Sequence, residues 1–260
     1  MQMGLISTKL FYILKIAKGN VEGMKYEIEG GNLPVVICYP EEGQTLCTEC
    51  GSMSWMSPNM EMQTNTGGGL KKALGCLFAG ESILLNEYSP RGGSGMIAFA
   101  ASFPGTIIPF AVAPGNGIIV QKRGFLAMEK GLNLSVYLQE RLGSGLFGGE
   151  GFIMQKITGN GLVFVEIDGH CKEYELAAGE CMIVDTGYVA AMSESCTMVI
   201  QSVKGVKNAL FGGESIFHTR ITGPGKVYIQ SMPVINTAQV LSGYIYDADG
   251  NEIKDGISNM

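Results

Sequence analysis

The sequence predicts an all-β chain built from three related units. Hydrophobic residues make up 46% of its 260 residues, charged residues only 16%, and 38 glycines are spread along its length. This mix suits many short buried strands joined by tight turns and disfavours long solvated helices. Short apolar runs alternate with turn signals such as Asp168-Gly169 and Asp249-Gly250, where glycine supplies the positive φ that tight turns need. Most tellingly, the pentapeptide Leu-Phe-(Ala/Gly)-Gly-Glu occurs three times, at Leu77 to Glu81, Leu146 to Glu150 and Leu210 to Glu214.

Each pentapeptide opens the same succession. Glu81-Ser-Ile-Leu-Leu, Glu150-Gly-Phe-Ile-Met and Glu214-Ser-Ile-Phe-His read as apolar strands. A glycine turn and a second strand follow: Gly95-Met-Ile-Ala-Phe, Gly161-Leu-Val-Phe-Val and Gly225-Lys-Val-Tyr-Ile. Another signature precedes each block, in which a glycine leads through a strand to a second glycine and an apolar run ending in methionine. Its copies are Gly43 through Gly51 to Met56, Gly115 through Gly124 to Met128, and Gly179 through Gly187 to Met192. From the first glycine to the pentapeptide glutamate the offsets are 38, 35 and 35 residues. Two independent signatures at matching spacing define an internal repeat. Its copies span about 31–100, 101–165 and 166–235. One unit alone would leave an apolar sheet face wet, whereas three stack or close around a shared core. Helix is expected only in short stretches, at Leu70 to Leu77 and near Lys204 to Leu210.

The ends differ from this pattern. In residues 1–23, Lys9, Lys15 and Lys18 flank the run Leu10-Phe11-Tyr12-Ile13-Leu14. That run falls far short of the ~20 apolar residues of a membrane span, and no small-residue cleavage pattern follows it. It reads as an extension, non-native or poorly ordered, ahead of a folded domain that starts at Met24 and runs to about 235. Residues 236–260 form a C-terminal segment in which Asp249-Gly250 signals a β-hairpin. Membrane insertion is not expected.

A net charge of −6 repels phosphate backbones, and the densest cationic spots, Lys71-Lys72 and Lys122-Arg123, read as ordinary loop charges. No nucleic-acid partner is expected. Seven cysteines, an odd number in a chain large enough to form its own core, indicate reduced thiols and a cytoplasmic setting.

Among candidate sites, Cys47-Thr-Glu-Cys50 alone names a chemistry, as a redox pair or half of a zinc site. No second such pair exists, and the spacing falls at a strand-to-turn position rather than at a helix start, so two ordinary thiols are the expectation. His218 aligns with Leu85 and Met154 as a packed side chain, and His170 follows a turn signal, so neither suits a base. Glu81, Glu150 and Glu214 suggest an acidic triad, yet a glutamate in a Gly-Gly-Glu turn more simply pins its own loop by accepting backbone N–H bonds. Gly67-Gly68-Gly69 followed by Lys71-Lys72 lacks the spacing that wraps a nucleotide. No catalytic residue, cofactor or metal is expected.

The ordered signals Met24-Lys-Tyr-Glu-Ile, Met53-Ser-Trp-Met-Ser, Thr66-Gly-Gly-Gly-Leu-Lys-Lys-Ala-Leu-Gly and the repeated Leu-Phe-Gly-Gly-Glu resemble the AIM24 family from about Met24 to Pro233. The resemblance implies β-sandwich-like repeats related to the short double-stranded β-helix, similar to the tryptophan RNA-binding attenuation protein, with a pseudo-threefold relation. It also implies a ring-like homo-oligomer such as a trimer. With few arginines near its start, the chain resembles the bacterial branch rather than the mitochondrial members. The expected function is a non-enzymatic β-repeat scaffold or binding protein that partners itself and an unidentified ligand or protein. The alternatives are an enzyme with a small-molecule site at a repeat or subunit junction, using Cys47, Cys50 or the pentapeptide glutamates, and an RNA-binding protein.

Overall fold

The computed structural model describes residues 17–21, 23–65, 85–140, 151–202 and 217–242. These residues form four antiparallel sheets and one α-helix, α1 (Val234–Ser242). Strands are numbered along the chain. The first sheet orders β1 (Ala17–Val21), β2 (Met24–Glu29), β3 (Val35–Tyr39), β8 (Ile97–Ala100) and β5 (Trp55–Met56). The second orders β6 (Met60–Asn65), β7 (Leu85–Pro90), β4 (Leu46–Glu49), β11 (Phe125–Glu129), β14 (Gly161–Asp168) and β9 (Gly105–Val112). The third orders β12 (Asn133–Glu140), β13 (Phe152–Thr158), β10 (Ile118–Gln121), β17 (Val189–Ser193), β20 (Gly225–Gln230) and β15 (Cys171–Leu176). The fourth orders β18 (Thr197–Ser202), β19 (Phe217–Thr222) and β16 (Cys181–Asp185).

Side-chain alternation explains why the central strands are apolar without interruption. Three cores lie between successive sheets, and neighbouring residues of the second and third sheets feed different cores. In β14, Leu162 and Phe164 enter the first core while Val163 and Val165 enter the second. In β10, Ile118 and Val120 enter the second and Ile119 the third. In β20, Val227 enters the third and Tyr228 the second. The first and fourth sheets cover a core on one face only, and β2 accordingly alternates buried with exposed or half-buried positions. All-β architecture is therefore what burial on both faces of the middle sheets requires.

The glycines of the spaced signature have a local reason. Gly43, Gly115 and Gly179 adopt φ of 92°, 77° and 79°, a left-handed conformation that costs side chains with a Cβ roughly 1 kcal/mol or more. Each stands shortly before a strand, β4, β10 or β16. The second-strand expectations correspond to β8, β14 and β20.

Two features at the ends go beyond the sequence reading. Ala17–Val21 pairs with Met24–Ile28 as an antiparallel hairpin, so the sheet begins before Met24. Residues 234–242 form α1, whose first backbone N–H, that of Val234, is accepted by Asp168 Oδ2 at 2.8 Å. A carboxylate at this position satisfies an orphan donor and favours the positive end of the helix dipole. The short helices expected at Leu70 to Leu77 and Lys204 to Leu210, and the turn at Asp249-Gly250, lie outside the described residues.

Phe164 is fully buried and meets Tyr26 edge to face at 5.1 Å between ring centroids. Phe164→Ala is expected to lower stability by about 3–5 kcal/mol, read as a reduced midpoint in urea unfolding with an unchanged slope.

Candidate functional site

Strand geometry separates the two thiols of the Cys47-Thr-Glu-Cys50 pair. Cys47 lies within β4 and points into the second core at 5% exposure. Burial, with the Glu87 charge added, pushes its thiol up to about 11, so it is protonated at neutral pH and a poor nucleophile. Cys50 lies beyond the end of the strand, is exposed, and has Asn86 Oδ1 at 4.0 Å from its sulfur. Burial likewise raises Cys38 and Cys196, and takes Cys171 up to about 11. Among the described residues, no group of three or more His, Cys, Asp and Glu side chains is placed to hold a metal.

The histidines stand apart from one another and from the thiol pair. His170 is exposed in the turn before β15, and His218 is half-buried in β19, between Asp185 and Gln201 on the neighbouring strands. Glu81, Glu150 and Glu214, and the Gly67-Gly68-Gly69 loop with Lys71-Lys72, lie outside the described residues.

The most distinctive geometry lies at the seams within the two middle sheets. In the second sheet, β4 meets β11, with Cys47 opposite Met128 and Leu46 opposite Glu129. In the third, β10 meets β17, with Ile119 opposite Met192. Thr48 Oγ1 reinforces the first seam by donating to the carbonyl of Leu126 at 2.6 Å in a buried site. Ion pairs flank both seams, Lys130 with Glu87 at 2.7 Å and Lys156 with Glu194 at 2.6 Å. The pairing to Lys156 and a backbone N–H from Gly117 hold the Glu194 carboxyl below its usual range.

Two strands that match the seam strands in pairing order, β5 (as β11 and β17) and β16 (as β4 and β10), are open among the described residues. Among the described residues, β5 pairs only with β8, and β16 only with β19. Ile183 of β16 stands four residues after Gly179, as Cys47 stands after Gly43 and Ile119 after Gly115. Cys47 and Ile119 are buried, whereas Ile183 is 54% exposed and Trp55 of β5 is 46% exposed.

With this geometry in hand, comparison with known proteins places the chain. The family model described as "Mitochondrial biogenesis AIM24" matches residues 26–232. The chain belongs to the AIM24 family. A crystal structure of a Streptococcus pyogenes protein superposes with a TM-score of 0.71 at 24% identity, covering 85% of this chain and all of the other. At that identity the likeness speaks to fold. No curated protein matches.

In this AIM24 chain a cleft of about 260 Å³ opens between β9, β10 and β20, lined by Phe110, Val112, Asn116, Ser193, Lys226 and Tyr228. Lys226 is held by Glu173 at 2.8 Å, and neither Cys47 nor Cys50 lines the cleft. Sequence reasoning passed over two partly buried acids near the end of β14, Glu166 and Asp168. Glu166 accepts from Ser102 N at 2.6 Å and Ser102 Oγ at 2.8 Å, yet burial raises its carboxyl above the usual range, and Asp168 is raised for the same first reason. Nothing local marked them, because their burial comes from packing of distant segments. No helix among the described residues is long and apolar enough to cross a membrane.

A maleimide added to folded protein should modify Cys50 and Cys181, both exposed, and leave Cys38 and Cys47 unmodified until denaturant is present; peptide mapping by mass spectrometry reads the outcome. Since Glu166 is harder to ionise in the folded chain than in the unfolded one, the folded state keeps its proton longer. Its contribution to stability therefore falls as pH rises from the ordinary 4.5 through the raised value. The stability of Glu166→Gln relative to wild type should climb across that window, as read from urea midpoints.

Proposed function

We propose that the chain is three copies of one six-strand unit and that it works as a non-enzymatic, self-assembling scaffold or binding protein. In chain order the units comprise β3 to β8, β9 to β14 and β15 to β20. The pairing orders β3–β8–β5, β9–β14–β11 and β15–β20–β17 support this, as do β6–β7–β4, β12–β13–β10 and β18–β19–β16. Bulges at Phe125/Ala127 and Val189/Ala191, each just after a single 3-10 turn, support it as well.

The observation that carries self-assembly is the pair of open edges. Consecutive units join through β4–β11 and β10–β17. The third joint of this kind would be β16 against β5, and among the described residues both edges are free. Unpaired edges with exposed apolar side chains template pairing with another chain. Carrying over the register of Cys47 with Met128 and of Ile119 with Met192 sets Ile183 opposite Met56 of a second copy. The contact is head to tail, so repetition closes a ring, such as a trimer, if the rotation allows. A cytoplasmic, bacterial-type homo-oligomer that holds an unidentified ligand or protein is the reading most consistent with these features. An acidic net charge of −6 speaks against RNA.

The cleft lined by Lys226 and Tyr228 favours a second reading, an enzyme with a small-molecule site at a unit junction, since its walls come from the second and third units. Against this, Lys226 is engaged by Glu173, and the thiol pair lies elsewhere.

In light scattering after size exclusion, the wild type is expected at a multiple of 27.7 kDa. Ile183→Lys, which places a charge on the docking edge, should run as a monomer with an unchanged far-ultraviolet circular dichroism spectrum. A wild type that stays monomeric at micromolar concentration overturns the assembly reading.

A further inference from the structure

The two seams carry flanking ion pairs of opposite polarity. At the first, β7 supplies the acid Glu87 and the turn after β11 supplies the base Lys130. At the second, β13 supplies the base Lys156 and the turn after β17 supplies the acid Glu194. The positions correspond through strand register. Glu87 lies opposite Cys47 and Lys156 opposite Ile119. Lys130 and Glu194 each follow by two residues the methionine, Met128 or Met192, that meets Cys47 or Ile119 across the seam. On the open edges the matching positions are Arg220, opposite Ile183, and Pro58, two residues after Met56.

Apart from the Thr48 hydrogen bond at the first seam, the two seams are alike in kind. Backbone pairing is indifferent to which unit supplies a strand, and both seams bury apolar side chains. A wrong junction is thus geometrically possible, within a chain while it folds or between copies. The charges discriminate. Docking β4 on β17 would set Glu87 against Glu194, and docking β10 on β11 would set Lys156 against Lys130. Like charges facing across a seam destabilise it. The side chains of Glu87, Glu194 and Lys156 are 17%, 26% and 33% exposed, so solvent screens them less than it screens a fully exposed pair.

We propose that the opposed polarity of Glu87–Lys130 and Lys156–Glu194 is a junction code that selects which unit edge docks on which. The inference rests on the three-unit reading above. The code also bears on contact between copies. The β16 edge, with cationic Arg220, is refused by the Lys130 turn and accepted by the uncharged Pro58 turn of β5. Its one attractive mismatch, Arg220 with Glu194, requires β17 to release β10 of its own chain, which covalent connection keeps at high effective concentration.

The test separates a code from mere stabilisation. Full-length wild type, E87K/K130E and the quadruple variant E87K/K130E/K156E/E194K are refolded from urea at low ionic strength. Light scattering after size exclusion then gives the fraction of protein outside the wild-type size. E87K/K130E keeps an ion pair at each seam but gives both the same polarity, so each edge now accepts either turn. Its mis-sized fraction is expected to rise roughly threefold to tenfold, in line with the weak energies of partly exposed charge pairs. In the quadruple variant, which restores opposed polarity, the fraction should return to the wild-type value. At ~0.5 M salt the excess should vanish, the Debye length there being only about 4 Å. K156E/E194K provides the same polarity match from the other seam, should E87K/K130E fold poorly. Equal fractions in all variants overturn the proposal, as does an excess that persists in the quadruple variant or at high salt. The wild-type mass, which decides the assembly reading, does not enter this comparison.

Discussion

Every larger feature of this protein depends on strand pairing across the seams, where β4 continues into β11 and β10 into β17. These contacts weld three-strand halves into six-strand sheets whose central strands are buried on both faces. A strand in such a sheet must be apolar at successive positions, and β10, β14 and β17 are. Cys47 and Met128 at one seam, and Ile119 and Met192 at the other, are close to fully buried. Thr48, buried at the first seam, is paired, its hydroxyl donating to the Leu126 carbonyl. An unpaired polar group in the same place would cost about 1–3 kcal/mol.

That constraint also accounts for what the thiols and acids do. Cys47 is a small apolar side chain of the second core, and burial keeps it protonated. Cys50 lies one step past the strand and escapes the core, so spacing alone brought together two thiols that the fold treats separately. Glu166 and Asp168 sit where β14 ends, and each holds a neighbouring segment, the Ser102 turn and the start of α1. Their titration follows from burial more than from any charged neighbour. These are connecting groups between segments, and their geometry is that of fastening rather than catalysis.

Membership of the AIM24 family and the likeness to a bacterial structure agree with an all-β architecture. The proposed function grows from the molecule's asymmetry. Seams that recur inside the chain have counterparts on β5 and β16 that are open among the described residues, and β16 presents Ile183 where Cys47 and Ile119 are covered. A protein with two complementary unfinished edges has the means to bind its own kind. The polarity of the flanking ion pairs would then keep equivalent edges from exchanging partners, a task that backbone hydrogen bonding, blind to side chains, cannot perform.

The sequence by itself determined the strand-rich class, the places of the second strands at Gly95, Gly161 and Gly225, and the left-handed turns at Gly43, Gly115 and Gly179. Each of these is local: apolar runs, glycine and spacing act within a few residues. It also located the thiol pair, though not the difference in burial that divides it. Only the tertiary structure decided that Ala17–Val21 adds a strand, that Val234–Ser242 is helical and capped by Asp168, and that Glu87 meets Lys130 while Lys156 meets Glu194. The partners in these contacts come from distant parts of the chain or from pairing choices that a strand's own residues leave open. A strand encodes which faces it buries, but its neighbour is chosen by where the rest of the chain has already packed.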